Sequence, residues 1–182
     1  VFLRPLGLRL LYALEAITLI AQYLPAAVAD GQNLEARTQL ALANTLAGMV
    51  ESASSCTSQH ALEHALSGKH PDLPHGAGLI MISLAYYRTF IKYHCCDDRF
   101  IDMARFLGME NADKPEDFLT ALAKLQKACG VDNLRMSDYG ITKEECDTLA
   151  RNARETMGGL FAANPCEMTH EDCADIFEKS YR

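Results

Sequence analysis

Helical periodicity is the feature that most constrains this chain, because it runs through almost all of the 182 residues. Apolar residues recur at the three- and four-residue spacing of one helix face, and no segment alternates like a half-buried strand. The apolar segment from His75 to Tyr93 is read as a buried helix because it is long and no partner strands accompany it. We therefore predict an all-α fold, a multi-helix bundle of roughly eight or nine helices.

Proline, glycine and capping residues predict where these helices begin and end. Pro5 suits a first helical position, and Pro25 is predicted to stop the first helix. Later boundaries are predicted as helix ends at Gly108, Gly130 and Gly158–Gly159, and as capping boxes at Thr142–Glu145 and Thr169–Asp172.

The composition is that of a globular protein and argues against a nucleic-acid partner. Hydrophobic residues make up 49% and charged residues 23%, and the formal net charge is −7. A surface that tracks phosphates is basic, so we expect this chain to bind no nucleic acid. All of the net charge falls in residues 96–182, which are expected to present the more solvated surface.

One apolar stretch, from Leu6 to Leu24, raises the question of a membrane span. Arg9 and Glu15 interrupt it, and without them the run is too short to cross a bilayer. We interpret it as a core helix and expect no membrane partner.

The seven cysteines predict a reducing compartment. Their spacings match no C-x-x-C motif, and the adjacent Cys95 and Cys96 are expected to be idle thiols. With no secretory signal in the sequence, scattered thiols are typical of a cytoplasmic protein.

Four of the six histidines lie between residues 60 and 75. His60 and His64 lie one turn apart on a single helix face, and His75 follows a loop that Pro74 makes rigid. Imidazoles at such spacing can converge on one metal ion, although a lone helical pair is more often incidental. Spacing alone leaves a metal site and an incidental arrangement as open alternatives. We assign no role to His70, which lies in the loop.

Other motifs are weaker. Glu63 stands before the second histidine rather than after the first, so the H-E-x-x-H zinc-protease pattern is not met. Gly76 and Gly78 follow a loop rather than a strand, which predicts close packing instead of a dinucleotide fingerprint. The aromatic residues at helical spacing are predicted to be core: Tyr86, Tyr87, Phe90 and Tyr93.

The segment from His60 to Gly76 resembles the iron-containing, group III alcohol dehydrogenases. It reads His-Ala-Leu-Glu-His, then a loop that ends in Pro74-His75-Gly76. The resemblance covers essentially the whole chain, with further matches at Ala16–Pro25, Ala29–Gly31, Leu46–Met49, Asn164-Pro165, Thr169 and Asp172.

The resemblance implies that residues 1–182 form the all-helical, metal-binding domain of such an enzyme. It implies a divalent metal, Fe²⁺ with Zn²⁺ as the alternative, held by His60 and His75 and by an Asp and a His that precede Val1. His64 is implied to lie near the nicotinamide of NAD or NADP and to take part in proton transfer. The implied substrates are small alcohols and their aldehydes or ketones, and a homo-oligomer is expected.

Because the chain begins at Val1 without a methionine, we expect it to be part of a longer polypeptide, with a dinucleotide-binding domain upstream. The fragment alone is then expected to be inactive. The alternative is a standalone helical module that binds a metal or a partner without catalysis.

Overall fold

The computed structural model describes residues 7–182, so Pro5 lies outside the described residues. Within them the fold is all-α, as predicted, with 74% helix and no strand. The α-helices are α1 (Gly7–Ala29), α2 (Leu34–Ser52), α3 (Ser58–Lys69), α4 (His75–Lys92), α5 (Asp97–Phe106), α6 (Glu116–Ala128), α7 (Cys146–Met157) and α8 (His170–Ser180). Short 3₁₀ helices span Met136–Tyr139, Lys143–Glu145 and Gly158–Ala163.

These helices form two compact units, and the candidate site lies within the second. Residues 7–55 and 96–132 make the first unit, in which α1 packs along α2 and contacts α5 and α6. Residues 56–95 and 133–182 make the second unit, in which α3, α4, α7 and α8 pack on one another.

The predicted end of the first helix at Pro25 is wrong, because α1 continues through this proline to Ala29. Proline removes one backbone donor and thus one helical hydrogen bond. The residues after it are alanines and a valine, which keep the helix going, and the amide of Asp30 still donates to the carbonyl of Ala26 at 3.0 Å.

Helix α1 is long and apolar enough, by length and composition, to cross a membrane. It packs on α2, with Ala13, Ala16 and Leu19 buried, yet only 28% of its most apolar 18-residue window is buried. Such a helix is also common in the cores of soluble proteins, so the absence of a membrane partner stays a prediction.

The core of the second unit consists of large apolar side chains from all four of its α-helices. The fully buried ones are Leu62, Leu66, Ile82, Tyr86, Phe90, Leu149, Ile176 and Phe177. The aromatic prediction is therefore confirmed for Tyr86 and Phe90. It is wrong for Tyr93, which is 42% exposed and whose hydroxyl donates to Oδ1 of Asp172 at 2.7 Å.

Both predicted capping boxes are present. The amide of Thr142 donates to Glu145 Oε2 at 2.7 Å, and the amide of Thr169 donates to Asp172 Oδ2 at 2.9 Å. Gly108 and Gly130 follow the ends of α5 and α6 with φ of 91° and 70°, a conformation that glycine adopts without strain.

The expectation that Cys95 is a free thiol is wrong. Cys95 and Cys166 form a disulfide within the second unit, with their Cα atoms 6.0 Å apart. The two residues are 71 positions apart in the sequence, and pairing at that distance depends on the fold rather than on a local motif. Within residues 7–182 the other five cysteines form no disulfide.

Candidate metal centre

Helix α3 carries His60 and His64. Its first residue is hydrogen-bonded to a side chain that is distant in the sequence. Asn164 Oδ1 accepts a hydrogen bond from the amide of Ser58 at 3.0 Å, which satisfies one of the free donors at the helix start. Tyr86 donates its hydroxyl to Thr57 Oγ1 at 2.9 Å, and burial raises the pKa of Tyr86 to about 12. The phenol therefore stays protonated and can keep this donor role.

A short ordered loop joins α3 to α4 and places His75. The amide of His70 donates to the carbonyl of Leu66 at 2.8 Å, and the amide of Leu73 donates to the carbonyl of His70 at 3.0 Å. Leu73 is buried and anchors the loop, and Pro74 directly precedes α4 with an extended backbone. His75 is consequently the first residue of α4, at a fixed position beside α3.

A second contact joins these two helices. Gln59 Nε2 donates to the carbonyl of Leu79 at 3.1 Å. Gln59 precedes His60 in α3 and Leu79 lies one turn after His75 in α4, so this hydrogen bond helps to fix how the two histidine-bearing turns face each other.

The structure brings together the three histidines that the sequence singled out. The ring centroid of His75 lies 5.4 Å from that of His60 and 5.3 Å from that of His64. His64 and His75 are exposed, and the side chain of His75 is 50% accessible. The imidazoles thus converge at a surface that a ligand can reach.

A carboxylate joins two of these histidines, His64 and His75, in the group whose ligand atoms lie closest together, and His60 is not part of that group. Glu63 lies between the two histidines of α3 and is wholly buried, with its Oε2 against Nδ1 of His75. One ligand atom from each of Glu63, His64 and His75 lies within 4.8 Å of the others, close enough for one ion. The signal in the sequence is a glutamate between two histidines, which by spacing alone is only a mismatch to the protease motif.

Gly78 makes room for that carboxylate. A Cβ atom built at Gly78 would lie 2.8 Å from Glu63 Cγ and 2.9 Å from Glu63 Oε1, whereas one at Gly76 would meet nothing within 4 Å. The prediction of close packing is therefore confirmed for Gly78 and wrong for Gly76.

His70 lies apart from this cluster, beside Glu145. Its Nε2 is 3.3 Å from Glu145 Oε1, which also lies 2.5 Å from Nζ of Lys69. Burial opposes ionisation of Glu145, but the bonds from Lys69 and from the amide of Thr142 outweigh it and lower its pKa to about 2. These contacts tie the end of α3 to the start of α7.

The donor set fits a divalent metal. Imidazole and carboxylate are ligands for iron and zinc, and apart from the contact between Oε2 and Nδ1 of His75 the buried Glu63 carboxylate has no hydrogen-bond partner within residues 7–182.

Comparison with known proteins supports this interpretation of the fold. The profile described as "Fe-containing alcohol dehydrogenase family, C-terminal" matches residues 10–181. The long-chain primary alcohol dehydrogenase AdhA of Thermoanaerobacter ethanolicus is 34% identical over 94% of this chain and 43% of its own length. The 1,3-propanediol dehydrogenase of Citrobacter freundii is 31% identical over 93% of this chain and 43% of its own length.

Among solved structures, an alcohol dehydrogenase from an archaeal halo-thermophile of a Red Sea brine pool superposes with a TM-score of 0.86 and 31% identity. The match covers 93% of this chain and 43% of that one. The chain therefore spans less than half the length of these relatives. From the profile match and the helical fold, we conclude that the chain belongs to the Fe-containing alcohol dehydrogenase family and corresponds to its C-terminal part.

Proposed function

We propose that this chain is the helical, metal-binding half of an NAD(P)-dependent enzyme that interconverts an alcohol and its aldehyde or ketone. The observation that carries the proposal is the convergence of imidazoles from α3 and α4 around His75. Family membership supports the reaction class, because the relatives named above are alcohol and propanediol dehydrogenases.

In this proposal His60 and His75 hold a divalent metal, Fe²⁺ or alternatively Zn²⁺. Their positions on two helices that Gln59 and the Pro74 loop fix together mean that binding requires little rearrangement of the backbone. A metal bound there would act as a Lewis acid on the substrate oxygen, and a bound NAD(P) would take the hydride from the carbinol carbon of the alcohol or return it to the carbonyl carbon.

His64 is proposed to move the proton of the alcohol. It lies one turn after His60, and its exposed ring is 5.3 Å from that of His75. An imidazole both accepts and releases a proton near neutral pH, which suits a relay between a substrate hydroxyl and solvent. We also propose that His64 faces the nicotinamide.

The whole protein is proposed to be a homo-oligomer, with a small alcohol or aldehyde as its substrate. The proposal that it is cytoplasmic rests on the thiols outside the Cys95–Cys166 pair, because a disulfide does not favour a reducing compartment. The part of the relatives that this chain does not span is proposed to bind the nucleotide and to complete the metal site. This chain by itself is then expected to show no oxidation of alcohols with NAD or NADP.

Metal binding by the purified chain tests the proposal. Equilibrium dialysis against Zn²⁺ and against Fe²⁺ without oxygen, with metal content read by mass spectrometry, should show about one ion per chain. His60→Ala and His75→Ala should each lower the affinity by about tenfold or more. His70→Ala is the matched control, since its ring pairs with Glu145 instead, and it should bind as the unsubstituted chain does. Equal metal content in His75→Ala and in the unsubstituted chain would rule out the proposed ligands.

The mass of the native protein distinguishes the dehydrogenase from a standalone module. This chain accounts for 20.1 kDa and spans 43% of the relatives named above, so a dehydrogenase subunit should be about twice that mass. A native species of about 20 kDa that binds metal but has no dehydrogenase activity would favour the module.

A further inference from the structure

Glu63 is the most unusual ionisable side chain among the described residues. Its side chain is completely inaccessible to solvent, and within residues 7–182 its carboxylate has no hydrogen-bond partner other than the ring of His75. Burying a carboxylate without a compensating partner is strongly unfavourable. The contact that the carboxylate does make is between Oε2 and Nδ1 of His75.

The packing around Glu63 shows that the structure accommodates this contact at close range. Gly78, one turn after His75 in α4, lies against the Glu63 side chain, where a Cβ atom would be only 2.9 Å from Oε1. Helix α3 and the glycine together confine the carboxylate beside the ring of His75.

We propose that Glu63 is a positioning residue for His75. Its carboxylate accepts the proton on Nδ1 and so fixes one tautomer and one orientation of the ring. The unprotonated Nε2, on the opposite side of the imidazole, then faces away from Glu63 and is available as a metal ligand. This inference rests on the proposed function of His75 as a ligand, but its geometry does not depend on the metal.

The two sides of the His75 ring can serve two different partners. The exposed side of the His75 ring can meet a cation, while the buried side meets the Glu63 carboxyl group. A carboxylate that bonds the far nitrogen of a ligand histidine makes the ring a better donor to a metal, and loss of such a partner commonly lowers metal affinity by about 10- to 100-fold.

The tautomer of His75 in the metal-free chain tests the inference directly. Long-range ¹H–¹⁵N correlation spectra of chain labelled at histidine, recorded at a pH where the imidazoles are neutral, distinguish protonation at Nδ1 from protonation at Nε2. The spectrum of His75→Ala assigns the signals. We expect His75 to carry its proton on Nδ1. A proton on Nε2 in the unsubstituted chain would overturn the inference without any variant at Glu63.

Two substitutions separate positioning from packing. Glu63→Gln keeps an oxygen that can accept from Nδ1, so the Nδ1–H tautomer and the metal affinity should stay close to those of the unsubstituted chain. Glu63→Met keeps the volume but has no such acceptor, so the tautomer population should shift towards Nε2–H and the Zn²⁺ affinity should fall by about 10- to 100-fold. Equal tautomer populations in both variants would overturn the inference.

The same measurements distinguish failure of this inference from failure of the proposed function. A chain with the Nδ1–H tautomer that binds neither Zn²⁺ nor Fe²⁺ would contradict the metal-binding function and retain the Glu63–His75 pairing. A chain that binds metal through His75 but carries the Nε2–H tautomer when metal-free would contradict the pairing and retain the function.

Discussion

Replacement of Gly78 by alanine should destabilise the second unit, although alanine is the better helix former. The added Cβ would lie 2.8 Å from Cγ and 2.9 Å from Oε1 of Glu63, and the Glu63 side chain is fully buried. Crowding of this kind in a packed interior costs about 1–3 kcal/mol. The higher helix propensity of alanine returns about 1 kcal/mol, so the free energy of unfolding should fall by about 0–2 kcal/mol.

Gly48→Ala is the matched control, since this glycine lies inside α2, one turn before its last residue, with open space around it. It should raise the free energy of unfolding by about 1 kcal/mol, which puts the two variants about 1–3 kcal/mol apart. Urea unfolding followed by circular dichroism measures both.

Introducing Gly78→Ala into the Glu63→Ala variant tests whether crowding against the Glu63 side chain causes the loss of stability. The Glu63→Ala substitution removes the atoms that the new Cβ would meet, so Gly78→Ala should there raise the free energy of unfolding as Gly48→Ala does. A penalty for Gly78→Ala that persists without the Glu63 side chain would refute the steric explanation.

Three further predictions concern other contacts of the second unit. Replacing Cys95 and Cys166 together by serine should lower the free energy of unfolding by about 4 kcal/mol, because the disulfide closes a loop of 71 residues, and reduction of the unsubstituted chain should do the same. The ion pair of Glu145 with Lys69 should stabilise the fold fully above the usual glutamate pKa of 4.5, and this stabilisation should be lost as the pH falls towards 2. Glu145→Gln should remove it. If the free energy of unfolding depends on pH equally in both proteins over that range, the Lys69 contact is contradicted. Asn164→Ala should lower the melting temperature through about 1–2 kcal/mol lost at the start of α3, whereas an unchanged value would show that this cap contributes nothing.

Local signals predicted most of the fold correctly. Thr142 and Thr169 each stand three residues before an acidic partner, and both capping boxes formed because such a box needs only one turn of chain. The prediction that α1 ends at Pro25 is wrong because a proline removes only one hydrogen bond, while the alanines that follow it favour several more helical hydrogen bonds.

In the candidate site, too, the features with a local signal in the sequence were predicted and the others were not. The helical spacing of His60 and His64 and the Pro74 loop indicated that three imidazoles could converge, and their rings do lie close together. Glu63 was overlooked because its importance comes from packing against Gly78 across two helices, which no spacing rule describes.

Two long-range contacts could not be predicted from the sequence either. Asn164 reaches the start of α3 from more than a hundred residues away, and the Cys95–Cys166 pair is 71 residues apart. Contacts of this kind are set by tertiary packing, so a single sequence carries no pattern for them.

The central claim is that imidazoles from α3 and α4 hold one divalent metal. Crystals of the chain soaked in Zn²⁺, with anomalous diffraction recorded on both sides of the zinc absorption edge, locate the ion directly. We predict one strong peak about 2.0–2.1 Å from a nitrogen of His60 and from Nε2 of His75. No peak at these rings, or a peak bound only by histidines elsewhere in the chain, would contradict it.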